Sequence, residues 1–387
     1  MYLSVMKKRV AILRGPNLNS WEMQNFAPLA DEFELVAFAS YGHHFALDSI
    51  SFPVRRLFSI GQTLRSRPLR RLYASLAGDY HDLQGLAGVL RGFDIVHTAE
   101  TAYRFTAQAA EAKRRIPFRL AVTVWENIPF AVHSRPARAN KRLVNEAADL
   151  FLPVSERSKE VLLLEGASEE RIRVLMPGID LGHFHPTQKD ERLLASFGCS
   201  PADTVILFVA NLFREKGIFD LLFAFSRAHT RLGRPPGLRL LIAGRGRDED
   251  SARTLTRELD LDRQVSFIGW HPYGRMPAIH NCADIFVLPS LPTPLWQEQF
   301  GYVLIESMAC GKPLISTWTG SIPEVVGDAG ILIPPNDFAA LSHAMENLAT
   351  SPEKRKTLGS KSRGRAEQFF DVRATSSRLR QYYQELA

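Results

Sequence analysis

Short apolar runs rich in β-branched residues alternate along this chain with longer amphipathic stretches. The runs fall at Arg9–Leu13, Phe33–Ala39, Phe93–His97, Arg119–Val124, Leu150–Pro153, Thr204–Ala210, Arg239–Ala243, Gln264–Ile268, Ile285–Pro289 and Pro313–Ser316. Runs of this kind between helical patterns predict parallel strands joined by crossover helices. The pattern occurs twice, on either side of an irregular stretch from Pro177 to Lys189, and 387 residues exceed what one ordinary core holds. The expected fold is therefore α/β, with two Rossmann-like, doubly wound parallel sheets. Residues 1–183 form the first domain and 184–365 the second. Residues 366–387 read as an amphipathic helix, with Phe369, Phe370, Tyr382 and Tyr383 as its apolar material, packing back toward the first domain.

No run approaches about 18 uninterrupted apolar residues, so no bilayer-spanning helix is expected. Met1 to Leu13 is too short for a signal sequence and reads as a first buried strand. Cys199, Cys282 and Cys310 are scattered without metal-ligand spacing, which points to a reducing cytosol, no disulfide frame and no zinc. The net charge of +7 suits a phosphorylated substrate or an anionic surface. From Ser51 to Ser75 stand six arginines (Arg55, Arg56, Arg65, Arg67, Arg70, Arg71) and no acid, interleaved with Leu57, Phe58, Ile60, Leu64, Leu69, Leu72 and Tyr73. Such a basic amphipathic segment packs on its own domain as a solvated face, or lies peripherally on an anionic inner leaflet. Nucleic acid is a poor fit, because no stacking platform or recognised binding module accompanies the charge.

In open parallel sheets ligands sit at the carboxyl ends of strands. Several predicted strand ends carry special residues: Arg14-Gly15-Pro16-Asn17, Trp125-Glu126-Asn127, Asn211 to Gly217, Gly244-Arg245-Gly246 and Ser290 to Gly301. Glu298 and Glu306 stand eight residues apart around a predicted short helix that opens after Gly301 and closes at Gly311 before Pro313. Eight helical residues span about 12 Å, so the two carboxylates suit different parts of one elongated ligand rather than a shared proton. The start of that helix offers free N–H groups to a phosphate. Arg214 and Lys216, after another strand, form a cation pair suited to a diphosphate. The Gly244 turn allows close backbone approach, and Thr319-Gly320-Ser321-Ile322-Pro323-Glu324 reads as a loop capping a helix. Each segment alone reads equally well as a solvated turn or helix face.

Taken together and in order, the segments resemble the nucleotide-sugar half of the retaining GT-B glycosyltransferases of family four, whose signature is a Glu-x7-Glu pair. The likeness covers roughly Val174 to Pro335 and rests on Met176-Pro177-Gly178-Ile179-Asp180, Lys216-Gly217, the Gly244 turn, Val287-Leu288-Pro289-Ser290, Glu298 with Glu306, Ala309-x-Gly311-x-Pro313, and Gly320 with Glu324-Val325. It implies a GT-B architecture, with the two domains facing a central cleft. It also implies that Lys216 holds the donor diphosphate, Glu306 the ribose hydroxyls and Glu298 the transferred sugar, with backbone at Phe300-Gly301 beside sugar and phosphate. Gly15 would touch the donor phosphates, and Trp270 would lie near the base. The family's usual arginine after the first strand of this half falls on Asn211, with Arg214 or Arg245 as substitutes. The family's histidine near Trp125-Glu126-Asn127 is missing, which leaves Glu126 and Asn127 as acceptor-side candidates, with His97 and His133 weaker; His97 reads more readily as a residue satisfying local hydrogen bonds.

The implied activity is a cytoplasmic hexosyltransferase. It would take a UDP-, GDP- or ADP-linked sugar to a glycan, lipid-linked or small-molecule acceptor, with retention by front-face substitution. No cofactor and no metal is expected, because nothing resembles a carboxylate-rich Asp-x-Asp site. The alternatives are an epimerase or phosphorylase on the same architecture, or a non-catalytic nucleotide-sugar sensor or partner subunit.

Overall fold

The computed structural model describes residues 7–64 and 66–386; Met1 to Met6, Arg65 of the arginine-rich segment and Ala387 lie outside the described residues. The chain divides into two units, Met1–Gly178 with Val372–Ala387, and Ile179–Asp371.

In the first unit β1 (Lys8–Gly15), β2 (Phe33–Ser40), β3 (Val54–Leu57), β4 (Ile95–Ala99), β5 (Arg119–Val124) and β6 (Leu150–Pro153) form one sheet in the order β3-β2-β1-β4-β5-β6. In the second unit β7 (Thr204–Val209), β8 (Leu238–Ala243), β9 (Val265–Gly269), β10 (Ile285–Leu288), β11 (Leu314–Thr317) and β12 (Gly330–Ile333) form another in the order β12-β11-β10-β7-β8-β9. Every strand pair is parallel. Each is thus a doubly wound Rossmann-like sheet, and its strand ends gather the following loops on one edge. The central strands are buried on both faces: Val10 to Leu13, and Val205 to Phe208, have no exposure. In the first unit separate apolar clusters cover the two faces, one around Phe38, Phe93 and Phe105, the other around Phe26, Phe33 and Tyr383.

Three expectations change. The arginine-rich segment is not one element: it contributes the edge strand β3, the short helix Ile60–Thr63 and the helix Arg67–Ala77. The terminal stretch is also broken. Helix Pro352–Phe369 ends where Ile179 N–H donates to the Phe370 carbonyl, and a new helix, Val372–Leu386, begins. The unit borders move with that bond. Ile179 bridges Asp371, and Phe184, fully buried, has its carbonyl held by Arg363, so residues 179–183 pack with the second unit. Gly178 N–H instead donates to Asn25 Oδ1 of the first unit, at 2.6 Å. The helix Val372–Leu386 packs within the first unit, where Ser376 Oγ donates to the Asn25 carbonyl.

Candidate active site

In the second unit the loops after β7 and β10 meet at one ion pair. Lys216 sits in the tight turn Arg214–Lys216 and donates to Glu298 Oε2 at 2.7 Å. Ser290 Oγ donates to the same oxygen at 2.9 Å. The Trp296 ring lies 4.6 Å from Lys216 Nζ, so the ammonium rests between a carboxylate and an aromatic face. Glu298 is buried and Lys216 half-buried, which lowers the local dielectric and strengthens any charge placed beside them. The turn is held down by Leu291 N–H donating to the Glu215 carbonyl at 2.7 Å.

Glu298 is also fixed from a third strand end. Its carbonyl accepts the Ser321 N–H at 2.9 Å, from the loop that follows β11. Helix Tyr302–Ala309 starts after Gly301, whose φ is 83°, and Phe300 is buried against Phe370. Glu306 lies inside that helix, buried, with Oε2 3.1 Å from Nε2 of the fully buried His280. The two glutamates are held separately, one by Lys216 and Ser290, the other by His280.

Asn211 and Arg214 are exposed at the end of β7, and the Arg214 backbone N–H donates to Asp248 Oδ2 at 2.7 Å. Gly244 follows β8 at φ 127°, where a Cβ would stand 1.9 Å from the Ala210 carbonyl, so this turn admits glycine alone. Arg245 is exposed beside it, and Trp270, 64% exposed, follows β9. The donor-side residues expected in this half therefore gather at the carboxyl edge of one sheet.

In the first unit Gly15 ends β1 at φ 53°, facing the Phe105 ring. Glu126 and Asn127 follow β5. Burial raises the Glu126 carboxyl, and Lys141 Nζ stands 3.4 Å from its Oε2 while also pairing with Glu165. Asn127 is buried, its carbonyl accepting Arg157 Nε at 3.0 Å.

His97 does not meet the expectation of an acceptor-side group. It is buried in the core, with Nδ1 2.5 Å from Tyr383 Oη and Nε2 2.7 Å from Thr123 Oγ1, so both nitrogens are used within the unit. Burial, with a smaller contribution from Arg14, holds its pKa well below the usual value. A base kept neutral in the folded state while the unfolded chain protonates near pH 6.5 costs stability as pH falls below 6.5. The expected slope from this one group is at most about 1.4 kcal/mol per pH unit. Calorimetry from pH 7.5 to 5.5 checks it: His97→Gln melts lower at pH 7.5 but loses less than wild type on acidification. Parallel slopes would contradict the assignment.

Reading the sequence missed Glu100, at the end of β4. Its backbone has φ 60°, its Oε1 accepts the Trp125 N–H at 3.0 Å, and burial followed by the charge of Glu126 raises its carboxyl to about 8. It also missed His280, Trp296 and the Ser290 hydroxyl, although Ser290 ends a strand motif that was singled out. Near Glu126 a cavity of about 280 Å³ is lined by Phe130, Val132, His133, Arg138, Lys141, Arg142, Asn145 and Glu165. Its wall mixes apolar surface from Phe130 and Val132 with Arg142, the Lys141–Glu165 ion pair and Arg138, which donates to the His133 carbonyl.

Residues 191–365 match the family of glycosyl transferases group 1. The chain is 27% identical over 342 residues to a D-inositol 3-phosphate glycosyltransferase of Rhodococcus erythropolis, covering 84% of this chain and 71% of that protein. It is 30% identical over 301 residues to the protein so named in Mycobacteroides abscessus, covering 74% and 61%. Coverage of such curated relatives ranges down to 48% of their own length. Among solved structures, Anabaena Alr3699/HepE in complex with UDP has a TM-score of 0.78 at 19% identity, covering 98% of this chain and all of that one. Sucrose-phosphate synthase from Thermosynechococcus elongatus has a TM-score of 0.75 at 20% identity, covering 98% and 99%. These two likenesses bear on the fold, which is the GT-B architecture of paired Rossmann-like domains.

Proposed function

We propose that this chain is a group 1 glycosyl transferase, a reading supported by its match over residues 191–365, and that it moves a hexosyl group from a nucleoside-diphosphate sugar to an acceptor hydroxyl with retention of configuration. The observation that carries the reading is the ion pair of half-buried Lys216 with buried Glu298, with Ser290 on the same oxygen. A cation fixed beside a sugar-facing carboxylate, at the carboxyl edge of a parallel sheet, suits a bond that breaks between a sugar and a diphosphate.

In this reading Lys216, aided by Arg214 or Arg245, takes the charge that develops on the departing diphosphate. Glu298 accepts hydroxyls of the transferred sugar and steadies positive charge at the anomeric carbon. Glu306, held by His280, takes the ribose hydroxyls, and Trp270 lies beside the base. The anomeric carbon–oxygen bond to the diphosphate breaks as the acceptor oxygen bonds on the same face. The acceptor proton passes to the departing diphosphate oxygen, so no covalent enzyme intermediate and no metal are needed.

UDP and glucose, bound in Anabaena Alr3699/HepE, make UDP-glucose the first donor to try. The acceptor belongs to the glycan, lipid-linked or small-molecule hydroxyls. The inositol phosphate in the relatives' name favours a phosphorylated polyol among these, for which Arg138 and Arg142 beside the cavity near Glu126 would supply cations. Three free, buried cysteines suit a reducing, cytoplasmic setting.

The test is release of nucleoside diphosphate from UDP-, GDP- and ADP-sugars, with and without inositol phosphate and with and without EDTA. One donor should be turned over, in EDTA as well as without it. Turnover abolished by EDTA would overturn the metal-free mechanism, and no turnover of any donor would overturn the transferase reading.

A further inference from the structure

The helix Arg67–Ala77 turns its apolar side outward. None of its residues is buried, and Leu69, Leu72 and Leu76 are 52%, 57% and 74% exposed. Their spacing of three and four puts them on one stripe of the helix. The half-buried residues are Arg70, Tyr73, Ala74 and Ala77. The helix is anchored there: Asn140 Nδ2 donates to the Ala77 carbonyl at 2.9 Å, and Arg70 lies over the Tyr80 ring. An amphipathic helix that only covered its own core would be turned the other way. Phe58 and Ile60, just before it in the chain, are exposed as well.

Along the chain the charge of this segment is one-signed. No acid stands between Asp48 and Asp79, and six arginines do. Removing those six from the chain's 48 lysines and arginines leaves 42 against 41 acids, so this segment accounts for nearly all of the net charge of +7. Arg55 and Arg56 are exposed on the edge strand β3, as are Arg67 and Arg71 on the helix. Pairing with a second copy through a shared two-fold would set the exposed arginines of this segment against their own copies. One exposed Phe58 among leucines does not make the row of aromatic platforms on which successive bases stack, so nucleic acid is a poor fit. Apolar side chains with flanking guanidinium groups match an anionic bilayer surface, into which the leucines insert while the arginines stay among the headgroups.

We propose that the outward leucine stripe of Arg67–Ala77, with Phe58, Ile60 and the flanking arginines, is a docking surface for anionic lipid bilayers. Among the described residues no helix is long and apolar enough to cross a membrane, so the contact is peripheral. The surface lies in the first unit, and the proposal stands apart from the donor reading; failure of one leaves the other intact.

The experiment floats the full chain with vesicles of phosphatidylcholine alone or mixed with phosphatidylglycerol, at low and high salt. It compares wild type with the double variant Leu72→Glu/Leu76→Glu and the triple variant Arg55→Gln/Arg56→Gln/Arg71→Gln. Binding to the anionic vesicles should exceed that to neutral ones by about tenfold or more, fall with salt, and drop about tenfold in each variant. Both variants should keep the wild-type melting temperature, since every altered side chain is exposed. Equal binding to both vesicle types, or variants that bind as wild type does, overturns the proposal. So does sedimentation showing a wild-type dimer that the leucine variant dissolves, which assigns the stripe to a second copy.

Discussion

Replacing Lys216 by alanine should cut transfer by about a hundredfold or more while the protein stays folded. The ammonium is the positive partner of the buried Glu298, at 2.7 Å, and lies against Trp296. A unit charge about 4 Å from charge developing on the departing diphosphate is worth on the order of 4 kcal/mol at an effective dielectric of about 20. If desolvation leaves about 3 kcal/mol of that in the transition state alone, the rate changes by roughly two powers of ten. Stability responds less. Glu298 keeps the Ser290 hydroxyl, and leaving a buried carboxylate partly unpaired costs about 1–3 kcal/mol. Nucleoside-diphosphate release and calorimetry on the same preparation separate the two effects. The loss should fall mainly on kcat, and Glu298→Gln, which preserves shape but removes charge, should show a loss of similar size. A Lys216→Ala enzyme within about threefold of wild type would remove this lysine from the mechanism.

Gly320→Ala should abolish the site from a position that bears no chemistry. Gly320 has φ 54°, and a Cβ there would stand 2.0 Å from the carbonyl oxygen of Glu298, the atom that accepts the Ser321 N–H. Backbone faces backbone, so no flexible side chain can yield. The loop after β11 or the one carrying Glu298 must move, and a shift of even 1 Å at a positioning group costs about a hundredfold in rate. The left-handed backbone adds a conformational penalty of about 1–2 kcal/mol to the cost of overpacking. Activity should therefore fall about a hundredfold, with a melting temperature several degrees lower. Ser321→Ala, which leaves the backbone bond in place, should keep activity within a few-fold of wild type. A fully active Gly320→Ala would mean that Glu298 need not be held where the structure puts it.

The interior strands were legible because parallel strands buried on both faces read as unbroken apolar runs, as Val205 to Phe208 does. Two of the four edge strands, β3 and β12, were not. β3 is Val-Arg-Arg-Leu, half solvated, and its arginines blend into a basic segment that looks like one element. β12 opens at Gly330 and runs only to Ile333, too short to stand out from a loop. In the site, Glu298, Glu306 and Lys216 were legible because they belong to spaced motifs that adjoin predicted strands and helices. Their partners were not. His280 reaches Glu306 across 26 residues, and Lys216 reaches Glu298 across 82, through tertiary packing that no local period encodes. The hydrogen-bonding role that His97 suggested at its strand end is met by Tyr383, 286 residues away, a partner no local pattern names.

In the proposed function, residues gathered on the second sheet's carboxyl edge hold a nucleoside-diphosphate sugar. The measurement that tests it most directly is calorimetric titration of UDP, GDP, ADP and their glucose conjugates into wild type, Lys216→Ala and Glu306→Ala, with calorimetric melting run alongside. One nucleotide should bind wild type in the micromolar range, and both variants, still folded, should lose that binding by about tenfold or more. Wild type that binds none of them, or folded variants that bind as tightly as wild type, would contradict the account.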